Sequence, residues 1–210
     1  ITDIWMEKED GTYVLSGTAG IGPKHETSAL DSLMSKLDKP EKLVILSDIK
    51  EGLKSNKRVK VKMGFDQHMG DLYPFTLNDK LAVITELDEW YTEENGNKSP
   101  WRKPIIPIEM ISVLTNFSGN PSNFSVKGPV IGLFANQEIK LFNGPLFVDE
   151  EYQIEKEIIA LSQSKRVETY WCMTSVYDKE NILVAECLLN QAFLKDSYKN
   201  YEQELKDISG

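Results

Sequence analysis

One stretch near the middle of the chain is apolar on almost every side, and it limits the possible folds most. It lies within residues 103–117. Pro107 suits the first turn of a helix, where its missing N–H is not needed, and Glu109 complements the positive N-terminal end of a helix. Gly119 lies where such a helix would stop. A helix on the surface would be apolar along one stripe only. The sequence therefore predicts a helix over residues 106–117 that other elements enclose.

Four long β-rich segments follow the predicted helix, and turn residues separate them. They are residues 132–142, 152–162, 167–177 and 182–194. In the second segment apolar side chains from Tyr152 to Ala160 fall on one face, and Gln153, Glu155 and Glu157 fall on the other. A period of two indicates a half-buried strand. The sequence therefore predicts an α+β fold in which a long antiparallel sheet wraps around a central apolar helix.

The last turn of this sheet also predicts a register. It spans residues 178–181, so pairing Tyr177 with Ile182 would place Cys172 opposite Cys187. Two cysteines in a chain of 210 residues do not form a disulfide scaffold. Small buried thiols are the common outcome, so we expect both to be reduced and the protein to be cytoplasmic.

The order of these elements, together with two motifs, resembles the hotdog fold of MaoC-like and FAS1-type dehydratase domains. The second half of the chain contains Asn143-Gly144-Pro145-Leu146-Phe147-Val148-Asp149-Glu150, which is similar to a bend between two strands of that family. Upstream, residues 77–87, Asp88, Tyr91 and residues 99–107 resemble its first helix, active-site loop and entry to the central helix. The resemblance covers residues 58–195 and implies an acyl-thioester substrate, attached to coenzyme A or to an acyl carrier.

The first part of the chain fits the hotdog pattern less well. Residues 4–8 and 12–18 flank Asp10-Gly11, which is a hairpin signal. Thr27 or Ser28 could cap a short helix that runs to Leu37, and residues 43–46 are typical of a buried strand. We therefore predict an N-terminal extension over residues 1–57 and a hotdog domain with a C-terminal tail over residues 58–210. The alternative is the remnant of a second hotdog, although a complete copy needs more chain than is present.

The resemblance implies a catalytic pair that this sequence contains only in part. In MaoC-like hydratases an Asp and a His five residues later act as acid and base on one water molecule. Asp88 lies at the family's Asp position, but Glu93 stands five residues later, and the chain has only His25 and His68. Histidine is the side chain whose ordinary pKa lies nearest neutrality. The sequence therefore argues against hydratase activity by the usual mechanism, and Asp88 either is catalytic or caps a helix end.

Glu109 is the second candidate catalytic residue. Hotdog thioesterases use a carboxylate on the central helix, while the amides at its N-terminus polarise the thioester carbonyl. In the first turn of a helix, the helix dipole alone would also stabilise Glu109. Six further side chains are predicted to contact a substrate. They are Trp90, Tyr91, Trp101, Ile108, Asn136 and Glu138. The aromatic residues could instead seal an edge of the core, and Asn136 or Glu138 could face solvent.

Composition narrows the function further. The net charge of −9, from 33 acidic and 24 basic residues, argues against general nucleic-acid binding. No apolar run approaches the ~20 residues of a membrane span, and neither a metal-ligand spacing nor a cofactor motif is present, so we expect no membrane, metal or cofactor.

Two functions remain. The protein is either an acyl-thioester enzyme, a hydratase/dehydratase or a thioesterase, that uses Asp88 and Glu109, or a catalytically silent hotdog that binds an acyl chain or a partner. Because hotdog sheets join edge to edge, we expect a homodimer with pockets near the interface.

Overall fold

The computed structural model describes residues 2–19, 29–70, 73–84, 87–116 and 124–208. The chain divides into two units, Ile1–Lys36 and Leu37–Gly210. Residues 37–57, which the sequence assigns to the extension, therefore fall within the second unit. This division does not test where the hotdog domain begins, so the boundary between residues 57 and 58 stays a prediction.

The first unit contains an antiparallel hairpin. Its strands are β1 (Thr2–Glu7) and β2 (Tyr13–Ala19). Gly11 takes a φ of 80°, which favours glycine, and the carboxylate of Asp10 accepts a hydrogen bond from the N–H of Thr12 at 2.9 Å. The hairpin predicted around Asp10-Gly11 is therefore confirmed.

A short helix follows in the same unit. Helix α1 spans Ala29–Met34 and ends before Leu37, where the sequence predicts its end. The predicted caps, Thr27 and Ser28, lie outside the described residues.

The second unit is built on a five-stranded antiparallel sheet. Its strands are β3 (Val59–Val61), β4 (Gly132–Leu141), β5 (Tyr152–Gln163), β6 (Val167–Tyr177) and β7 (Leu183–Leu194). They lie in the order β3-β5-β6-β7-β4, with every neighbouring pair antiparallel. The four long strands are therefore confirmed, with ends that differ from the prediction by one residue at most.

The central helix, α3, spans Ile108–Asn116. Five of its residues are buried on different sides of the helix. They are Met110, Ile111, Val113, Leu114 and Thr115, none more than 6% exposed. Its first two residues, Ile108 and Glu109, are exposed. The enclosed helix is thus confirmed, while Phe117 and Gly119 lie outside the described residues.

The helix that precedes α3 is shorter than predicted. Helix α2 spans Leu77–Leu81, whereas the sequence predicts a helix over residues 77–87. A capping box between Thr76 and Asp79 fixes its start. Val83 and Ile84 follow, and β-branched side chains favour helices less than straight ones. The longer helix is therefore wrong. The C-terminal helix, α4, spans Tyr201–Asp207.

One face of the sheet carries two apolar clusters. The first surrounds α3 and includes Met110, Ile154, Val176 and Ala185. The second lies further along the strands and includes Ile45, Ile158, Tyr170, Phe193 and Tyr201. None of the helices in the described ranges has both the length and the apolar character needed to cross a bilayer.

The register predicted for the two cysteines is wrong by two residues. Cys172 pairs with Leu189, and Thr174 pairs with Cys187. The first residue of this shift comes from the turn, which is one residue longer than predicted because β7 begins at Leu183. The second comes from a bulge, in which Val184 is the extra residue. Both cysteines are free and buried.

A second bulge changes the faces of β5. Ile158 pairs with Cys172 and Ala160 pairs with Trp171, so one extra residue lies between them. Because Cys172 and Trp171 are neighbours on one strand and point to opposite faces, Ile158 and Ala160 do so too. The prediction that Ala160 shares the face of Tyr152 is therefore wrong.

Val44, Ile45 and Leu46 are buried and Leu43 is partly buried, but the segment forms a bend and a turn rather than the predicted strand. The carboxylate of Glu168 accepts hydrogen bonds from the N–H groups of Val44 and Leu46, at 2.8 and 3.0 Å. The hydroxyl of Tyr201 donates to the same carboxylate at 2.8 Å. The Glu168 side chain on β6 therefore accepts the hydrogen bonds that a neighbouring strand would accept if this segment were a strand.

Candidate functional site

The loop before α3 is attached to structure on two sides. The N–H of Ile105 donates to the carbonyl of Trp90 at 3.0 Å, and the N–H of Ile106 donates to the carbonyl of Leu146 at 2.8 Å. Gly96 approaches Pro104 so closely that a Cβ atom there would lie 2.4 Å from the Cβ atom of Pro104. Only glycine fits this contact without a shift of the loop, so the sequence fixes the path of the loop into α3.

Asp88 caps a short 3-10 turn, Glu89–Tyr91. Its Oδ1 atom accepts a hydrogen bond from the N–H of Trp90 at 2.8 Å, and its side chain is exposed. This is the capping role that stood as the alternative to catalysis. The carboxylate thus already serves the backbone of the loop.

Glu109 lies in the first turn of α3 and is exposed, as is Ile108, at 59%. Tyr73 is partly buried near this turn, and its hydroxyl donates to the sulfur of Met110 at 3.5 Å. Burial raises the pKa of Tyr73, and the negative charge of Glu109 raises it further. The N–H of Met110 donates to the carbonyl of Pro107 at 2.9 Å, and the exposed Ile108 and Glu109 mark the end of α3 that carries its partial positive charge.

Aromatic rings form a rim at the loop. Trp101 contacts Trp90 edge to face with ring centroids 6.2 Å apart, and it contacts Phe147 at the same distance. Trp101 remains 44% exposed. Tyr91, by contrast, packs half-buried against the first apolar cluster. The structure therefore brings Trp90 and Trp101 together and directs Tyr91 toward the core.

Asn136 and Glu138 lie on the face of the sheet that points away from α3. Ile139 packs against the first apolar cluster, and adjacent residues of a strand point to opposite faces. Asn136 accepts a hydrogen bond from the side-chain amide of Asn190 at 3.2 Å. Glu138 forms an ion pair with Lys140 at 3.0 Å. These two residues are therefore not brought to the site at α3.

Histidine supplies no partner for either candidate carboxylate in the described part of the chain. His68 is exposed, and its Nδ1 atom accepts a hydrogen bond from the N–H of Gly70 at 3.3 Å. His25 lies outside the described residues. Glu93, which stands five residues after Asp88, is exposed. The described surroundings of Asp88 and Glu109 thus contain no Asp/His pair.

Sequence reasoning missed the buried lysine of β5. Lys156 is 8% exposed on β5 and pairs with Thr174, which in turn pairs with Cys187 on β7. Burial lowers the pKa of Lys156, and interactions with Cys172 and Cys187 act in the opposite direction. Burial raises the pKa of Cys172 to about 11. The available signal was that Lys156 interrupts the alternation of apolar residues between Ile154 and Ile158.

Comparisons with known proteins identify the fold. No protein-family profile and no curated protein sequence matches this chain. The HadBC (3R-hydroxyacyl-ACP dehydratase) complex from Mycobacterium tuberculosis is similar with a TM-score of 0.50 and 11% identity, over 68% of this chain and 96% of that chain. The MaoC-like dehydratase from Rhodospirillum rubrum has a TM-score of 0.48 and 14% identity, over 72% of this chain and 97% of that chain. The (R)-hydratase from A. caviae has a TM-score of 0.44 and 15% identity, over 68% of this chain and 96% of that chain.

Identities this low show the fold alone, and only the first of the three similarities is close enough to support an argument. Together with the five-stranded antiparallel sheet and the enclosed helix α3, it confirms the hotdog fold. The resemblance to MaoC-like dehydratases is therefore confirmed at the level of fold.

Proposed function

We propose that the protein binds acyl thioesters at the N-terminal turn of α3, as a relative of MaoC-like hydratases and dehydratases without their Asp/His pair. One observation carries this proposal. Ile108 and Glu109 are exposed, whereas Met110 and Ile111 are 1% exposed. The first turn of the helix, with its partial positive charge, thus faces solvent, an arrangement that suits a thioester oxygen.

The aromatic rim lies beside this turn and supplies apolar contact area. Phe147 forms a backbone bridge with Ile105, which lies three residues before α3. Trp101 packs on Phe147 and stays partly exposed. A large aromatic surface next to a polar anchor is typical of sites that hold an acyl chain or its pantetheine arm.

Binding without hydration is the expected behaviour. In the described residues Asp88 serves the backbone of Trp90, and no imidazole contacts it. We expect titration calorimetry to detect binding of butyryl-CoA and crotonyl-CoA, and spectrophotometry to detect no hydration of crotonyl-CoA. Trp101→Ala should weaken binding about tenfold, since large aromatic residues dominate such contacts. Trp5→Ala, at another exposed tryptophan, should change nothing. Hydration that Asp88→Asn abolishes would refute this reading.

A thioesterase is the second candidate, because Glu109 is an exposed carboxylate at the helix end that would polarise the carbonyl. Release of free thiol from butyryl-CoA tests it. Hydrolysis that Glu109→Gln removes, and that Glu202→Gln leaves intact, would support the thioesterase. Glu202 is an appropriate control because it is exposed in the first turn of α4. The absence of thiol release would leave binding as the function.

We also propose a homodimer joined through β4. This strand is at one edge of the sheet, and exposed apolar residues cluster at its start, with Leu133 50% and Phe134 48% exposed. Exposed strand edges favour pairing with another chain. Light scattering should give twice the mass of 23.9 kDa at micromolar concentration. Phe134→Glu should shift the measured mass toward that of the monomer. A monomeric parent protein would refute the proposal. The cytoplasmic location stays a prediction.

A further inference from the structure

A groove with lysines at its rim lies in the second unit, apart from the residues of the proposed acyl-thioester site. Residues 39–51 form most of it, together with Leu161 and Ile208. We call it the lysine groove. Its volume is about 540 Å³, within the range of about 300–1,000 Å³ that is usual for ligand sites.

The floor of the lysine groove is apolar. Leu46 is fully buried and Ile49 is 5% exposed, while Leu43 and Leu161 are partly buried beside them. Ile208, at the end of α4, is 48% exposed and lines the same groove. An alkyl chain placed here would remove apolar surface from water.

The rim carries more positive than negative charge. Lys39, Lys42 and Lys50 line it, against Glu41 and Glu51. Lys39 lies 4.0 Å from Glu51, a weak and exposed pair. Among the residues that the structure describes, neither Lys42 nor Lys50 forms an ion pair. In a chain with a net charge of −9, two such cations above an apolar floor favour a ligand that is anionic at one end.

The wall of the groove is held in place before any ligand binds. The turn that contains Leu46 is fixed by the buried carboxylate of Glu168, and the carbonyl of Ile45 accepts a hydrogen bond from the N–H of Lys127 at 3.0 Å. Tyr201, which begins α4, donates to the same Glu168. A wall fixed by buried hydrogen bonds loses little conformational entropy on binding.

We propose that the lysine groove binds a medium-chain alkyl carboxylate, with its alkyl chain on the apolar floor and its carboxylate paired with Lys42 and Lys50. Both parts of the ligand are required. The floor supplies most of the affinity, because exposed ion pairs contribute little. The lysines select the sign of the head group.

Calorimetry on the full chain with decanoate tests the proposal. Decanoate should bind at least tenfold more tightly than decyltrimethylammonium, which has the same alkyl length and the opposite charge. Acetate, which has only the head group, should show no saturable binding. The double variant Lys42→Gln/Lys50→Gln should weaken decanoate binding about five- to 25-fold, since each exposed pair contributes up to about fivefold. Lys57→Gln/Lys165→Gln, at two exposed lysines elsewhere, is the matched control.

Equal affinity for the two amphiphiles, or unchanged affinity in the Lys42/Lys50 double variant, would overturn the proposal. Methyl NMR separates this site from the acyl-thioester site. Shifts at Leu161 and Ile208 on addition of decanoate support the lysine groove. Shifts confined to Ile108 and its neighbours on α3 would assign decanoate to the other site and overturn the inference, without affecting the proposed function.

Discussion

Replacing Lys156 with methionine should stabilise the protein. The side chain is 8% exposed between Ile154 and Ile158, at 6% and 0%, on the face of β5 that carries the apolar clusters. Within the described residues Lys156 forms no ion pair. Methionine has nearly the same length and flexibility and carries no charge, so Lys156→Met removes a buried cation while leaving most of the packing intact.

The magnitude follows from the cost of burial. A buried polar group without full compensation costs about 1–3 kcal/mol in protein mutational data, so the free energy of unfolding should rise by about that amount at pH 7. Burial lowers the pKa of Lys156 in the folded state. Below that lowered pKa both states carry the proton, and the whole penalty is present. As pH rises toward 10.5, the folded state loses its proton first, so the penalty shrinks.

Urea unfolding followed by tryptophan fluorescence at several pH values between 7 and 10 measures both effects. The advantage of Lys156→Met over the parent protein should be largest near pH 7 and should decrease toward pH 10. Lys165→Met, at an exposed turn residue, should change the free energy of unfolding by less than about 0.5 kcal/mol. A loss of stability in Lys156→Met, or an advantage that does not change with pH, would refute the reasoning.

Three further outcomes are expected. Tyr201→Phe removes a hydrogen bond to the buried carboxylate of Glu168 and should lower the free energy of unfolding by about 1.5–3 kcal/mol in urea, and an unchanged midpoint would contradict this. Gly96→Ala places a methyl group 2.4 Å from a proline carbon and should lower the melting temperature in calorimetry by several degrees, whereas an unaltered value would show that the loop yields. Burial raises the thiol pKa values of Cys172 and Cys187, so iodoacetamide at pH 8 should label neither until urea is added, and labelling of the folded protein would show that they are accessible.

The architecture could be predicted because its signals are local. The apolar character of α3 lies within nine consecutive residues. The ends of the four long strands differ from the predicted ends by one residue at most. The pairing of Cys172 with Leu189 was missed because it depends on a turn one residue longer than predicted and on a bulge at Val184. A bulge inserts one residue without an obligatory sequence signal, and every pair beyond it changes.

Contacts between distant residues account for two further errors. Residues 43–46 have the composition of a buried strand, yet Glu168 binds the N–H groups of Val44 and Leu46 across 124 and 122 residues of sequence. A strand prediction weighs only neighbours in sequence and cannot include such a partner. The burial of Lys156 was missed for the same reason, because the pairing of three strands places it beside Thr174 and, beyond it, Cys187.

The chemistry of the site is harder to predict than the fold because the two depend on different residues. The fold rests on Met110 to Thr115, which are buried, whereas the candidate site consists of exposed residues at the loop and at the first turn of α3. Glu93 is exposed, so a change of residue at this position costs little packing energy. Asp88 is retained by its bond to the N–H of Trp90 whether or not it takes part in catalysis. A hotdog domain can therefore keep its helix and its loop whatever residues stand at these exposed positions, so fold similarity alone leaves the activity to be measured.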